Sequence, residues 1–166
     1  MATVVRHVIA SVEDVFDVLL DPRTYPDWLV GAQAIRSVDD DWPAVGSKFY
    51  HRVGLAGPVT IPDHSKILAI EPPHLFVLEV RVRPFGRGRS EFRLAPDTDA
   101  DGRALTRIEL DEVPIGSLTP LTPVFEPLIR ARNIASLNGL VAFLNSPDRK
   151  SAKEAQADSE SDAPPA

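Results

Sequence analysis

The residues best suited to acid–base chemistry are a histidine and an aspartate on two neighbouring predicted strands. In the stretch GSKFYHRVGLA, alternation of side chains places His51 on the same face as Phe49. If this strand folds back through a tight hairpin onto the next, His51 lies opposite Asp63. A carboxylate that orients an imidazole makes a general base, whereas a shift of one residue would send Asp63 to the other face. The alternative is that both are ordinary polar residues at strand ends.

A second group of candidates lies on the last predicted strand and the last predicted helix. Side-chain alternation places Glu112 on the inward face of its strand. Arg130 and Asn133 interrupt the apolar stripe of the helix. A guanidinium under a sheet needs a carboxylate, a water-filled space or an acidic ligand beside it. Glu112 is therefore expected either to pair with Arg130 or to serve as an acid inside a cavity. The alternative is that Arg130 extends to the helix edge and Asn133 binds backbone.

The long helical pattern runs from Pro123 to Asn145. At about 100° per residue, large apolar side chains fall on one half of the helical wheel and small ones on the other. The large residues are Phe125, Ile129, Ile134, Leu137, Leu140, Val141 and Leu144. Such a stripe needs a facing sheet. The small face around Ala131, Ala135 and Gly139 could equally admit a second subunit, as in a homodimer.

The first part of the chain supplies a strand and two short helices. The β-branched TVVRHVI predicts the strand, Ser11 caps the helix VEDVFDVLL, and Asp21-Pro22 ends it. The following PRTYPDWL predicts a short second helical piece in which Tyr25 and Trp28 share a face. These two aromatic residues either gate a cavity or plug the core.

From Ala32 onward the pattern alternates with a period of two. Six strand candidates follow one another, namely AQAIRSV, GSKFYHRVGLA, VTIPDHSKILAIE, HLFVLEVRVRPF, GRGRSEFRLAP and RALTRIELDEV. Short connections predict an antiparallel meander, with an outer face of Arg and Glu exposed to solvent. The inward apolar residues are Phe49, Val53, Ile67, Phe76, Leu78, Val80, Phe92, Ile108 and Leu110.

Size and composition narrow the classes of protein. A length of 166 residues with 43% hydrophobic content suffices for one core, so we expect one domain over 1–145 and a disordered polar tail over 146–166. The net charge of −6 argues against nucleic-acid and anionic-membrane surfaces. The chain has no cysteine, and its histidines lack metal-binding spacing, so neither a metal nor another cofactor is expected. Without an apolar signal-peptide core or spanning run, a cytoplasmic protein is expected, with no stable membrane insertion.

The order of elements resembles the START-like (SRPBCC) superfamily, the helix-grip fold, and is most similar to its bacterial polyketide cyclase/dehydrase-like branch. VEDVFDVLLDPRTYPDWL is similar to that family's opening, and KILAIEPPHLFVLEV to its strand, Glu-Pro-Pro turn and next strand. The resemblance covers about Thr3 to Asn145. It implies an α+β fold in which a curved antiparallel sheet of about seven strands wraps the long C-terminal helix, with two short helices after strand 1. It also implies a cavity between sheet and helix for a hydrophobic small molecule.

Two functions from different classes follow, and a third is weaker. The preferred one is binding or transport of a lipid-, polyketide- or aromatic-like molecule. Its expected contacts are Tyr25, Trp28, Phe49, His51, Phe76, Leu78, Val80, Phe92, Ile108, Glu112, Arg130, Asn133 and Leu137. The second is a polyketide cyclase/dehydratase-type enzyme with His51 as general base, Asp63 orienting it, and Arg130 or Tyr25 stabilising an enolate. The third is a protein-interaction module that uses the small-residue face of the last helix.

Overall fold

The computed structural model describes residues 3–56, 59–82, 86–116 and 122–149. In chain order its elements are β1 (Val4–Val8), α1 (Val12–Leu20), α2 (Tyr25–Trp28), β2 (Ala32–Val38), β3 (Lys48–Ala56), β4 (Val59–Glu71), β5 (Leu75–Val82), β6 (Gly86–Thr98), β7 (Ala104–Ile115) and α3 (Thr122–Leu144). A 3-10 turn, Pro22–Thr24, joins α1 to α2. Of the tail predicted to be disordered, residues 150–166 lie outside the described residues.

The strands form one antiparallel seven-stranded sheet in the order β1-β7-β6-β5-β4-β3-β2. β2 to β7 are successive neighbours, as the short connections predicted, and β1 adds beside β7. Two register shifts interrupt the pairing of the edge strand β2 with β3, between Ala32 and Ala34 and between Ile35 and Ser37. With α3 packed on the inner face of the curved sheet, the predicted α+β helix-grip fold is confirmed.

Aromatic rings fill one end of the core. Phe49 of β3 packs edge-to-face against Tyr25 at 5.1 Å and against Trp42 at 5.4 Å between ring centroids. Trp42 also contacts Phe76, and its Nε1 donates to the Leu20 carbonyl at 2.7 Å. Aromatic pairs in this geometry contribute about 0.5–1.5 kcal/mol each beyond the area they bury. The cluster therefore ties α1 and α2 to the sheet.

The C-terminal half of α3 supplies most of the helix's packing against the sheet. Its buried residues are Asn133, Ser136, Leu137, Leu140 and Leu144. Near its N-terminus, Val124 and Leu128 are 71% and 70% exposed. Neither residue belongs to the predicted apolar stripe, of which Leu137, Leu140 and Leu144 are buried, and Phe125 and Ile129 near the N-terminus are half-buried. Among the described helices, none is long and apolar enough to span a membrane.

Part of the small-residue face of α3 is covered by α2. A Cβ at Gly139 would lie 2.6 Å from the Trp28 carbonyl oxygen and 3.2 Å from the Trp28 Cα. Glycine therefore permits the helix to approach the α2 backbone closely. Ala131 and Ala135 on the same helix are exposed. Gly139 accordingly makes a packing contact within the chain, so it is not available to the second subunit that the small-residue face could have admitted.

The outer face of the later strands carries alternating Arg and Glu, as predicted, but it is not uniformly solvated. Glu91 of β6 is only 2% exposed and forms ion pairs with Arg89 and Arg93. Thr3 Oγ1 donates to Asp111 Oδ1 at 2.8 Å on β7. A buried carboxylate is tolerated where cationic partners compensate its charge. Charged side chains on this face therefore form ion pairs with one another.

Replacing Gly139 by alanine is expected to destabilise the protein. At an exposed helix position alanine would be favoured over glycine by about 1 kcal/mol. Here the added Cβ must displace the Trp28 backbone, and overpacking of this kind costs about 1–3 kcal/mol. Urea denaturation should therefore give a lower free energy of unfolding for Gly139→Ala. The reverse change at an exposed position, Ala135→Gly, should lose about 1 kcal/mol through propensity alone, and a stabilised Gly139→Ala would contradict the close contact.

Candidate ligand-binding site

A mainly apolar cavity of about 380 Å³ lies between the sheet and the N-terminal half of α3. Its volume falls within the range of about 300–1,000 Å³ common for small-molecule sites. The apolar lining includes Phe49, Val53, Ile61, Val80, Phe125 and Ile129, and the polar lining includes His51, Asp63, Ser65, Glu112 and Arg132. The described ranges contain no group of three or more His, Cys, Asp or Glu side chains that could hold a metal ion.

The space stays unfilled because the inward side chains of β6 are absent or small at its start and large farther along the strand. Its inward positions are, in order, Gly86, Gly88, Ser90, Phe92 and Leu94. Phe92 and Leu94 are buried in the packed core, whereas at the glycine end no side chain fills the space. A Cβ at Gly88 would lie 3.3 Å from Val80 Cγ2 and 3.8 Å from Glu112 Oε1. Gly88 lines the cavity, next to Val80 and Glu112.

His51 and Asp63 lie on one wall of the cavity in the predicted register. His51 is opposite Asp63 and Phe49 is opposite Ser65, which confirms the predicted pairing of β3 with β4. His51 and Asp63 are 8% and 6% exposed. The ring is bonded by Ser65, whose Oγ lies 3.3 Å from His51 Nε2, while Asp63 Oδ1 accepts from the His64 amide at 2.8 Å. His51 Nδ1 is buried and has no hydrogen-bond partner among the described residues.

The surroundings of His51 favour the neutral imidazole. Burial lowers the pKa of His51, because removal from water disfavours the charged ring. The Asp63 carboxylate opposes this effect, and His64 and Arg132 add to it. A neutral ring keeps one nitrogen lone pair, which can accept a hydrogen bond or a proton.

A second wall carries a buried ion pair. Arg132 Nη1 donates to Glu112 Oε2 at 2.9 Å, and Arg132 Nε donates to the Val30 carbonyl at 3.2 Å. The Glu112 side chain is 7% exposed and that of Arg132 is 33% exposed. Arg132 thus links α3, β7 and the segment that follows α2. The pairing gives the buried carboxylate the partner it requires.

The predicted pairing of Glu112 with Arg130 is wrong, and Arg130 does not line the cavity. Arg130 is exposed, and its Nη1 donates to the Thr3 carbonyl at 3.2 Å beside β1. The buried face of α3 includes Ser136, which is 0% exposed and was absent from the predicted stripe. The helix is therefore rotated relative to the prediction, so that Arg130 turns outward and Arg132 meets Glu112. Sequence analysis missed Arg132 because it weighted only large apolar side chains.

The other predicted ligand contacts divide between the cavity and the packed core. Tyr25, Phe49, His51, Asp63, Val80 and Glu112 line the cavity. Trp28, Leu78 and Phe92 border only an adjoining void of about 20 Å³. Phe76, Ile108, Asn133 and Leu137 are 0% exposed and line neither space. Strand alternation for Phe76 and Ile108, and the helical wheel for Asn133 and Leu137, correctly predicted an interior position, but these residues form the packed core and not the cavity wall.

Tyr25 is held by its own hydroxyl. Its Oη donates to the Leu19 carbonyl at 2.5 Å, and the residue is 1% exposed. Burial raises the pKa of Tyr25, and the nearby Asp21 carboxylate adds to the effect. The predicted role in stabilising an enolate does not fit this arrangement, because the only O–H donor is already used by α1.

Solved structures with the same fold resemble this chain at low identity. A protein of Nitrosomonas europaea has a TM-score of 0.62 at 14% identity, covering 86% of this chain and 92% of that chain. A protein of Arthrobacter aurescens, solved by solution NMR, has a TM-score of 0.63 at 18% identity, covering 87% and 86%. The di-domain ARO/CYC StfQ from the steffimycin biosynthetic pathway has 0.58 at 11%, covering 86% of this chain and 50% of that chain. None of the curated proteins matches this chain.

A curved antiparallel sheet that grips a C-terminal helix, with a cavity between them, defines a START-like helix-grip protein. The family model described as polyketide cyclase / dehydrase and lipid transport matches residues 1–142. The chain belongs to this family, which confirms the resemblance drawn from its sequence.

The lowered pKa of His51 predicts a loss of stability as pH falls from about 7.5 to 5.5. The unfolded ring takes up a proton near pH 6.5, whereas the folded ring does so only at lower pH. The unfolded state therefore binds more protons in this window, and acid favours it. His51→Gln removes this contribution, so its free energy of unfolding, measured in urea at each pH, should decline less than that of the wild type.

The matched control is His7→Gln, which leaves His51 in place and should keep the acid-dependent decline. His7 suits this purpose because its side chain is 45% exposed and lies away from the cavity. An equal decline in His51→Gln and the wild type would contradict the assigned cause.

Proposed function

We propose that the protein binds an apolar small molecule in the cavity between the sheet and α3. The observation that carries this proposal is the mainly apolar space of about 380 Å³ with a few polar side chains on its walls. Small-molecule sites have this composition, because apolar walls supply affinity and a few polar groups fix orientation. The family's description, polyketide cyclase / dehydrase and lipid transport, is consistent with such a ligand.

The mouth of the cavity supports the same proposal. Val30 and Leu128 both line the cavity, yet they are 44% and 70% exposed. Apolar surface therefore continues from solvent into the interior along the segment after α2 and the first turns of α3. Exposed apolar surface beside a cavity is typical of a ligand-binding site. It gives an apolar molecule a continuous path into the interior.

Filling the space beside Gly88 should block binding. In Gly88→Leu the new side chain extends from β6 into the cavity, so an apolar probe can no longer bury its surface there. We expect Nile red to bind at least about tenfold more weakly in a fluorescence titration, because burial of apolar area supplies the affinity. Thr98→Leu, at an exposed position of the same strand, should bind like the wild type. Unchanged binding by a folded Gly88→Leu variant would refute the location of the site.

A second candidate function is aldol-type cyclisation and dehydration of a polyketide-like substrate. It is favoured by a buried His51 that lies opposite Asp63 and whose lowered pKa keeps the ring neutral. The imidazole would take a proton from a carbon that lies between two carbonyls. The resulting enolate carbon would then attack a different carbonyl farther along the same substrate. The new alkoxide would then recover that proton from the imidazolium, and loss of water would complete the dehydration. We place this second because His51 Nε2 is already bonded to Ser65 and Nδ1 is enclosed.

The enzyme candidate predicts that His51→Ala separates turnover from binding. Removing a general base should lower the rate by about 10²–10⁴-fold, while Nile red affinity stays nearly unchanged. The rate can be followed by mass spectrometry as loss of water from a poly-β-ketone thioester. Asp63→Asn is the companion variant, and its rate should also fall. If the wild-type protein binds the thioester without converting it, the enzyme candidate is contradicted and only the binding function remains.

A further inference from the structure

We propose that the cavity selects a neutral ligand bearing a hydroxyl or carbonyl group and disfavours a carboxylate, through the buried pair Glu112–Arg132. This inference rests on the binding function proposed above and names the class of ligand. It follows from which polar atoms of the pair remain unused, and from the charges of the side chains that face the cavity.

The pair leaves a donor and an acceptor beside open space. Glu112 uses Oε2 for Arg132, and its Oε1 accepts no hydrogen bond from the described residues. A Cβ added at Gly88 would lie 3.8 Å from Oε1, and Gly88 lines the cavity. Arg132 uses Nε for Val30 and Nη1 for Glu112, so Nη2 has no partner among the described residues. A guanidinium has five N–H donors, and several therefore remain.

This arrangement complements a neutral polar group. A hydroxyl both donates and accepts, so it can donate to Glu112 and accept from Arg132. A carbonyl oxygen can accept from Arg132 alone. A site whose buried polar groups are satisfied by a ligand discriminates strongly against an analogue that leaves them unpaired. The apolar remainder of the ligand would occupy the space lined by Phe49, Val80 and Phe125.

The side-chain charges at the cavity are net negative. Asp63 and Glu112 contribute two carboxylates, and both are 6% exposed. Arg132 contributes one guanidinium, which Glu112 already compensates. His51 adds no charge when its ring is neutral. A ligand carboxylate would therefore meet an occupied cation and a second buried anion, and like charges are costly where water is excluded.

Two further arginines border the cavity without changing this balance. Arg81 and Arg87 alternate with the inward residues Val80 and Gly88, so their side chains belong to the outer face. On that face Arg87 Nη1 lies 3.3 Å from Glu79 Oε2. Alternation therefore directs both guanidinium groups away from the cavity, and Arg81 Nε, which is buried, has no hydrogen-bond partner among the described residues.

The test compares decan-1-ol with decanoate as competitors of Nile red on the full chain at pH 8. Decan-1-ol should displace Nile red at a concentration at least about tenfold lower than decanoate requires, because of the penalty for like charges. Because a carboxylate is harder to desolvate at any apolar site, the decisive measurement is how this ratio changes in Glu112→Gln. That variant removes one buried negative charge and frees Arg132, so decanoate should gain about tenfold relative to decan-1-ol. Glu79→Gln makes the same charge change on the outer face and should keep the wild-type ratio.

Each outcome separates this inference from the function it rests on. If Nile red does not bind the wild type, the binding function itself fails. If Nile red binds and the ratio is the same in the wild type and in Glu112→Gln, selection by the pair is overturned while binding stands. If Glu112→Gln does not fold, Arg132→Gln replaces it; an uncompensated Glu112 should then weaken decanoate further, and an unchanged ratio overturns the inference.

Discussion

The edge-to-face packing of Tyr25 and Trp42 on Phe49, and of Phe76 on Trp42, is the arrangement on which the rest of the structure depends. A hollow forfeits dispersion contacts along its lining, so it lowers stability unless packing elsewhere compensates. Here the aromatic rings pack together at one end of the core and hold α1 and α2 against the sheet. The cavity beside this cluster, which Tyr25 and Phe49 also line, can then remain open, because closure there is not needed to hold the helices in place.

The apolar character of the cavity also governs its polar groups. Taking His51, Asp63 and Glu112 out of water is costly, and each must recover interactions locally. Glu112 does so through Arg132, whereas one nitrogen of His51 remains unsatisfied among the described residues. An interior of low polarity strengthens whatever hydrogen bonds a ligand makes there. The same surroundings that make these groups expensive to bury therefore make them effective in recognition.

Alternation and turn chemistry predicted the strands and the meander, and the register that sets His51 opposite Asp63 followed once a tight hairpin was assumed. A side-chain period of two leaves little freedom once one face is buried. The orientation of α3 was less determined, because its buried face includes Ser136, which is small and polar, and Arg132 four residues earlier bonds Glu112. A cavity between sheet and helix was implied by the family resemblance, but the residue pattern alone did not distinguish an open space from a filled core. The glycines at the start of β6 carry no side chain, so an apolar pattern gives no signal of the space beside them.

The irregular edge strand β2 has a separate consequence. An open sheet exposes unpaired amides and carbonyls at its rims, and a straight, regular rim is a template onto which a foreign strand can add. In β2 the two register shifts break the even spacing of these groups, and at the other rim β1 is only five residues long. Neither rim offers an incoming chain a long ladder of aligned partners, so the fold carries its own protection against aggregation by strand propagation.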